Sequence, residues 1–184
     1  MKKVRGKKRA AGRAVSSQGG KVILTKQAAF KLRPIGVVRS SVKQPGENCW
    51  TGLISVIELD PQQFTAASTA GLDQFSHVDV VFVFHLVDPK SVHTGARHPR
   101  DRQDWPEAGI FAQRAKDRPN RIGTTVCKIE CVDGLRVSVR ELDAIDGTPV
   151  LDLKPYMQAF GPREPVRQPP WSVELMSSYF KPGK

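Results

Sequence analysis

Acidic residues are missing from the first 33 positions of this chain, which carry 11 lysines and arginines and no aspartate or glutamate. No ion pair within this stretch can neutralise it. The whole chain has 29 Lys and Arg against 18 Asp and Glu, so residues 34–184 are neutral by count and the formal +11 belongs to the arm. Residues 1–20 are also poor in apolar side chains, and a segment that buries little apolar surface cannot offset its ordering entropy. Disorder is expected there. A basic arm suits the phosphate backbone of RNA or DNA, each contact adding salt-dependent affinity without reading sequence. A solubilising tail is the alternative. An organellar presequence, basic, acid-poor and serine-containing like this arm, ranks below both because the arm lacks a convincing apolar helical face.

Long apolar runs are absent too. Nothing reads as a secretory core or a membrane span, so a cytoplasmic protein with no membrane partner is expected. Cysteine is scarce. Three residues (Cys49, Cys127, Cys131) are an odd number without framework spacing, which excludes a disulfide scaffold. Cys127 and Cys131 are four apart in a strand-like run, so both are expected on one side of it, as small buried hydrophobes in a reducing compartment. His93 and His98 are five apart with no paired ligands, and no metal is expected. Asp73 and Asp79 read as a loop residue and a solvent-facing strand residue. The chain lacks a Gly-x-Gly-x-x-Gly run, a phosphate loop, a nucleophile elbow and internal repeats. It also lacks a readable nucleophile–base pair or a glycosidase-like pair of carboxylates. An enzyme made from this sequence would depend on positioning and on a reactive cofactor.

What remains is mostly strand. Residues 35–38, 53–59 and 78–87 are β-rich, and the last places Val78, Val80, Phe82, Phe84 and Leu86 on one face. Asp60-Pro61 is a helix-start pair, predicting a short helix through residue 70. Residues 88–108 form a long polar loop, a length that is often functional. Residues 110–112 read as a short strand, and residues 124–132 and 135–142 form a hairpin around Asp133-Gly134. After Phe160 the chain turns proline-rich, with a short helix expected over residues 171–179. Many short strands with little helix predict a mainly β protein, a small antiparallel barrel or sandwich. Its expected organisation is an arm (1–33), a barrel domain (34–160) and a C-terminal segment (161–184).

The most informative stretch is residues 143–156. Gly147 can take positive φ, and Pro149 fixes its own φ while biasing Thr148 toward extended conformations. Asp143, Asp146, Asp152, Lys154 and Tyr156 stand among Ile145, Val150, Leu151 and Leu153. A rigid turn aiming polar groups out of an apolar run is how a small-molecule site is built. A second stretch, residues 111–123, sets Arg114, Arg118, Arg121 and Asn120 around a proline and a glycine, a plausible clamp for carboxylate or phosphate. His85, late in the central strand, faces either a pocket or the core.

These residues carry a family likeness. Pro34-Ile-Gly-Val-Val-Arg-Ser40, Lys43-Gln-Pro-Gly46 and Gly71-Leu-Asp-Gln-Phe-Ser-His77 with Val81-Phe-Val-Phe-His85 follow one another in order. Gly109-Ile-Phe-Ala-Gln-Arg114, Arg118-Pro-Asn-Arg-Ile-Gly123 and Asp146-Gly-Thr-Pro-Val-Leu-Asp-Leu-Lys-Pro-Tyr156 complete the series. Over about residues 34–157 the chain resembles the TsaA-like (YaeB/TrmO) family of S-adenosylmethionine-dependent tRNA methyltransferases. The resemblance implies a small antiparallel β-barrel with few short helices, acting as a homodimer with the cofactor near the subunit interface. It implies S-adenosyl-L-methionine as cofactor, tRNA as partner, and methyl transfer to N6 of threonylcarbamoyladenosine beside the anticodon. Carried over by motif, cofactor contacts fall on Val42, Lys43, Gln44, His85, Leu86, Arg114, Thr124, Asp146, Gly147, Thr148 and Pro149. The acceptor nitrogen belongs to a urea and is a weak nucleophile, so an oxygen that takes its proton would help; Asp146 and Asp152 are the candidates. Arg118, Asn120, Arg121, Lys154 and Tyr156 are candidates for substrate or RNA contact. Two departures stand out: Arg121 occupies the family's proline position, and Val42-Lys43 replaces Pro-Arg. A methyltransferase of the same barrel with another acceptor, and a non-catalytic cofactor- or RNA-binding module, therefore stay open.

Overall fold

Alternation of apolar and polar side chains over several short runs builds eight strands. They are β1 (Gly36–Arg39), β2 (Ile54–Leu59), β3 (His77–Val83), β4 (Ala96–Arg97), β5 (Ala108–Gly109), β6 (Ile122–Asp133), β7 (Arg136–Arg140) and β8 (Pro149–Pro155). The structure, a computed structural model, describes residues 30–46, 50–177, 179 and 180. The basic arm, up to residue 29, and Cys49 lie outside the described residues. A compact unit begins at Leu32 and takes in the barrel and the C-terminal segment alike.

Six strands close into an antiparallel barrel in the order β1-β2-β7-β6-β3-β8, sealed where Gly36 and Val37 of β1 pair with Val150 and Pro149 of β8. Closure leaves no unpaired sheet edge. The inward face of each strand supplies the core: Val38, Ile57, Val78, Val80, Phe82, Val137, Val139 and Val150 are all fully buried. β4 and β5 pair with each other outside the barrel, giving the long loop expected over residues 88–108 a scaffold of its own. The helix α1 (Pro170–Met176) starts at the proline pair as expected. It is held by an indole hydrogen bond from Trp105 to Glu174 (3.0 Å) and by the Trp105–Trp171 ring contact (6.4 Å between centroids).

Four local expectations change. Residues 62–70 do not form one helix. Asp60 closes a single turn by accepting from the Gln62 amide (2.9 Å) and Gln63 side chain (2.6 Å), and extended Thr65 then breaks the path into the 3₁₀ turns Ala66–Thr69 and Leu72–Gln74. Ile110–Ala112 is a 3₁₀ turn rather than a strand, because pairing with β4 is already taken by Ala108 and Gly109. β3 stops at Val83 because the ladder is completed on one side only: the Phe84 amide still donates to the Arg121 carbonyl (2.8 Å), but the Arg121 amide turns away to the Arg118 carbonyl (2.9 Å). Finally, Cys127 is buried but Cys131 is exposed. The β6–β7 register shifts between Ile129 and Cys131, and the extra residue, Glu130, reverses the alternation beyond it.

Candidate functional site

The end of β3 sets the position of the site. Phe82 points into the barrel and Phe84 meets it edge-on, 5.3 Å between centroids at 79°. The strand partner of Phe82 is Gly123, and a Cβ there would lie 2.5 Å from the Phe82 ring. Glycine at 123 is therefore what lets β6 pass against the two phenyl groups. Together with Asp143, Phe82 and Phe84 form a wall shared by two cavities. The first, about 420 Å³, is also lined by Trp50, His85, Leu86, Val87, Ile145 and Thr148. The second, about 370 Å³, is lined by Phe111, Arg114, Arg118, Asn120, Gly123 and Thr124. Both volumes lie in the range of small-molecule sites.

The turn at residues 146–149 borders the first cavity and is fastened by its own chemistry. Gly147 adopts φ 77°, the left-handed region that a side chain would strain, and its amide donates to the Val38 carbonyl (2.8 Å). Asp146 bolts the turn to the loop at residues 40–43. Its amide donates to the Val42 carbonyl (2.7 Å), one carboxylate oxygen accepts from the Ser40 amide (3.0 Å), and the other pairs with Lys43 Nζ (2.9 Å). The Lys43 ammonium, helped by the Ser40 N–H, holds the Asp146 carboxyl below the usual aspartate range. The His85 ring lies over the turn, its Nε2 4.0 Å from where a Gly147 Cβ would sit. In the second cavity the Arg114 guanidinium donates to the Thr124 carbonyl and to Thr124 Oγ1 (3.2 Å). The residues expected at a cofactor thus divide: the clamped loop and turn lie with His85 and Leu86 at the first cavity, while Arg114 and Thr124 line the second.

The residues expected at the substrate divide. Arg118 and Asn120 line the second cavity, and Arg118 donates to the Gln113 carbonyl (3.4 Å). Arg121 adopts φ 52° and sends its guanidinium to the Val87 carbonyl (2.9 Å), tying the turn that holds it to the segment after β3. Asp152, Lys154 and Tyr156 are carried off along β8. The β8 residues opposite Val81, Val80, Asp79 and Val78 are Asp152, Leu153, Lys154 and Pro155, and the Tyr156 amide reaches the His77 carbonyl at the start of β3 (2.9 Å). Asp152 pairs with Lys154 and lines a third cavity, about 540 Å³, with Phe64 and Phe75.

Asp143 stood among the polar groups of residues 143–156 in the sequence but was given no role there. It sits at the junction of both cavities, flanked by buried Leu142 and Ala144. The Tyr179 hydroxyl donates to its Oδ2. Burial pushes the Asp143 carboxyl up, while the Tyr179 hydrogen bond and the charges of Arg114 and Arg100 partly offset this. The signal available was a carboxylate between Leu142 and Ala144, three residues before a rigid turn. Among the described residues no three His, Cys, Asp or Glu side chains gather as a metal site, and no helix is long and apolar enough to cross a membrane.

Residues 40–161, which span both cavities, match the family described as the tRNA-methyltransferase O N-terminal domain. The chain belongs to this family. Among curated relatives, a protein of Methanothermobacter thermautotrophicus named "Probable S-adenosyl-L-methionine-binding protein" is 36% identical over 70% of this chain and 91% of its own length. A human protein named "tRNA (adenine(37)-N6)-methyltransferase" is 37% identical over 63% of this chain, and an Escherichia coli protein of the same name is 34% identical over 71%. The chain spans 26% of the human relative and 59% of the E. coli one. The crystal structure of TrmO from Pseudomonas aeruginosa superposes with a TM-score of 0.65 at 28% identity, over 80% of this chain and 63% of that one. The antiparallel barrel is thus the fold of the tRNA-methyltransferase O family.

Proposed function

We propose that the protein is an S-adenosylmethionine-dependent methyltransferase acting on N6 of threonylcarbamoyladenosine beside the tRNA anticodon. The observation that carries this reading is the clamped Asp146–Thr148 turn under His85, bordering an apolar cavity that adjoins an arginine-lined one. The residues present fit the cofactor. Leu86, Val87 and Phe84 offer apolar surface to an adenine, the turn offers backbone groups, and Asp88 on the cavity wall offers a carboxylate to an ammonium. When bound, the cofactor supplies a methyl group already activated on a sulfonium. The protein then has to align the acceptor and exclude water. Arg118 and Asn120 in the second cavity suit an anionic acceptor, and the names of the human and E. coli relatives point to the adenosine at tRNA position 37. Lys154 and Tyr156 would then contact RNA only beyond the reacting base. A cytoplasmic homodimer belongs to the same reading, with exposed Leu86 and Phe111 at the cavity rims as its contact surface.

Arg121 supports a second reading, the same chemistry on a different acceptor. Its φ of 52° is one that the family's proline cannot adopt, so the turn bordering the second cavity has its own shape here. Incubating the full chain with methyl-labelled cofactor and tRNA, with and without the threonylcarbamoyl group, tests both. Label confined to the modified tRNA is expected. Label in unmodified tRNA favours the second reading, and label in neither contradicts both on tRNA.

A further inference from the structure

Asp146 and Asp152 are both committed elsewhere. Asp146 spends its two oxygens on Ser40 and Lys43, and Asp152 pairs with Lys154 toward the third cavity. Asp143 differs in that it lines both cavities at once. It is also held from outside the barrel. Tyr179, in the chain after α1, donates its hydroxyl to Asp143 and receives a hydrogen bond from Trp50, while Arg100 lies over its ring at 5.9 Å. This is a side chain fixed by a partner 36 residues away, at the one wall the two cavities share.

We propose that Asp143 accepts the proton of the acceptor nitrogen and that Tyr179 is the residue that positions its carboxylate between donor and acceptor. The inference rests on the methyltransferase reading above. In the step, the N6–H bond breaks and its proton passes to an Asp143 oxygen. The nitrogen electron pair forms the bond to the methyl carbon, and the carbon–sulfur pair returns to sulfur, leaving a neutral thioether. Positive charge lost at sulfur is balanced by negative charge lost at Asp143. Burial suits the role, since a carboxylate whose pKa is raised is a stronger base than an exposed one. The charged and titratable groups around it are Tyr179, Arg100, Arg114 and Cys127, with His85, Asp88, Lys116 and Asp117 elsewhere on the first cavity and Arg118 on the second.

The full chain and its Asp143→Asn and Tyr179→Phe variants are compared by label transfer against pH, by calorimetric binding of S-adenosylmethionine, and by carbon-13 NMR titration of the Asp143 carboxyl. Asp143→Asn is expected to bind the cofactor within about twofold of wild type and to lose at least about 100-fold in transfer. Its melting temperature at neutral pH should not fall, because the variant no longer buries an ionised carboxylate. Tyr179→Phe removes a hydrogen bond that favours the carboxylate. The NMR midpoint of Asp143 and the acidic limb of the rate profile should therefore move together to higher pH. A smaller loss in Asp143→Asn, with wild type active, overturns the proton acceptor and leaves the methyltransferase reading standing. An unmoved midpoint in Tyr179→Phe overturns the positioning role. If wild type transfers no label to either tRNA, the methyltransferase reading falls and this inference falls with it.

Discussion

Asp146 joins two loops, with one carboxylate oxygen on the Ser40 amide and the other on Lys43. Its carboxyl is lowered by Lys43, so the clamp is fully present above the ordinary aspartate range and is lost as pH falls through the lowered value. Asp146→Asn should therefore melt slightly below wild type at pH 7, and the difference should close in acid; a gap that persists below the aspartate range would contradict the ion pair. The effect is small because Lys43 is largely exposed. Arg121 makes a sharper case. Restoring the family's proline would force φ to about −65° where the chain has 52°, and would remove the amide that donates to Arg118 (2.9 Å). Arg121→Pro should cost more than about 1 kcal/mol of stability, read by thermal or urea unfolding. A neutral result would show that this turn adopts the proline-compatible shape. Gly147, Thr148 and Asp146 were legible in the sequence because Asp-Gly-Thr-Pro encodes its own geometry. Asp143 was visible as a polar group of the same stretch, but its place was not, because that depends on Tyr179 and on the cavity walls, which no local pattern contains.

At the scale of elements, alternation was a sound guide wherever a strand ran straight. It found β2, β3, β7 and the β6–β7 hairpin, since one face of each had to be buried against the barrel interior. It failed on β6, where counting by twos breaks down. The register shift at Glu130 sends Cys131 outward while Cys127 stays in the core with its thiol pushed up to about 12 by burial. Alkylation of the native protein followed by peptide mapping should label Cys131 and spare Cys127. Equal labelling of both would remove the bulge from the account. The 3₁₀ turns after β2 and β5 were misread for a related reason. Short apolar runs do not say whether a strand partner is still free, and at Ile110 none was.

At the scale of the whole molecule, charge and chemistry are divided along the chain. The body is balanced and contains both cavities, while the excess of 11 positive charges lies in residues 1–33. If the arm adds affinity for tRNA, deleting residues 1–20 should weaken tRNA binding and flatten its dependence on salt, with cofactor binding unchanged. Identical salt slopes would make the arm irrelevant to tRNA. The central claim is that the donor occupies the cavity between His85, Leu86 and the turn at residues 146–149, next to a second cavity for the acceptor. A crystal structure of the full chain with S-adenosylhomocysteine tests it most directly. The account predicts the adenosine against Leu86 and that turn, with the sulfur facing Asp143. Density for the ligand in the third cavity beside Asp152, with the first left open, would contradict it.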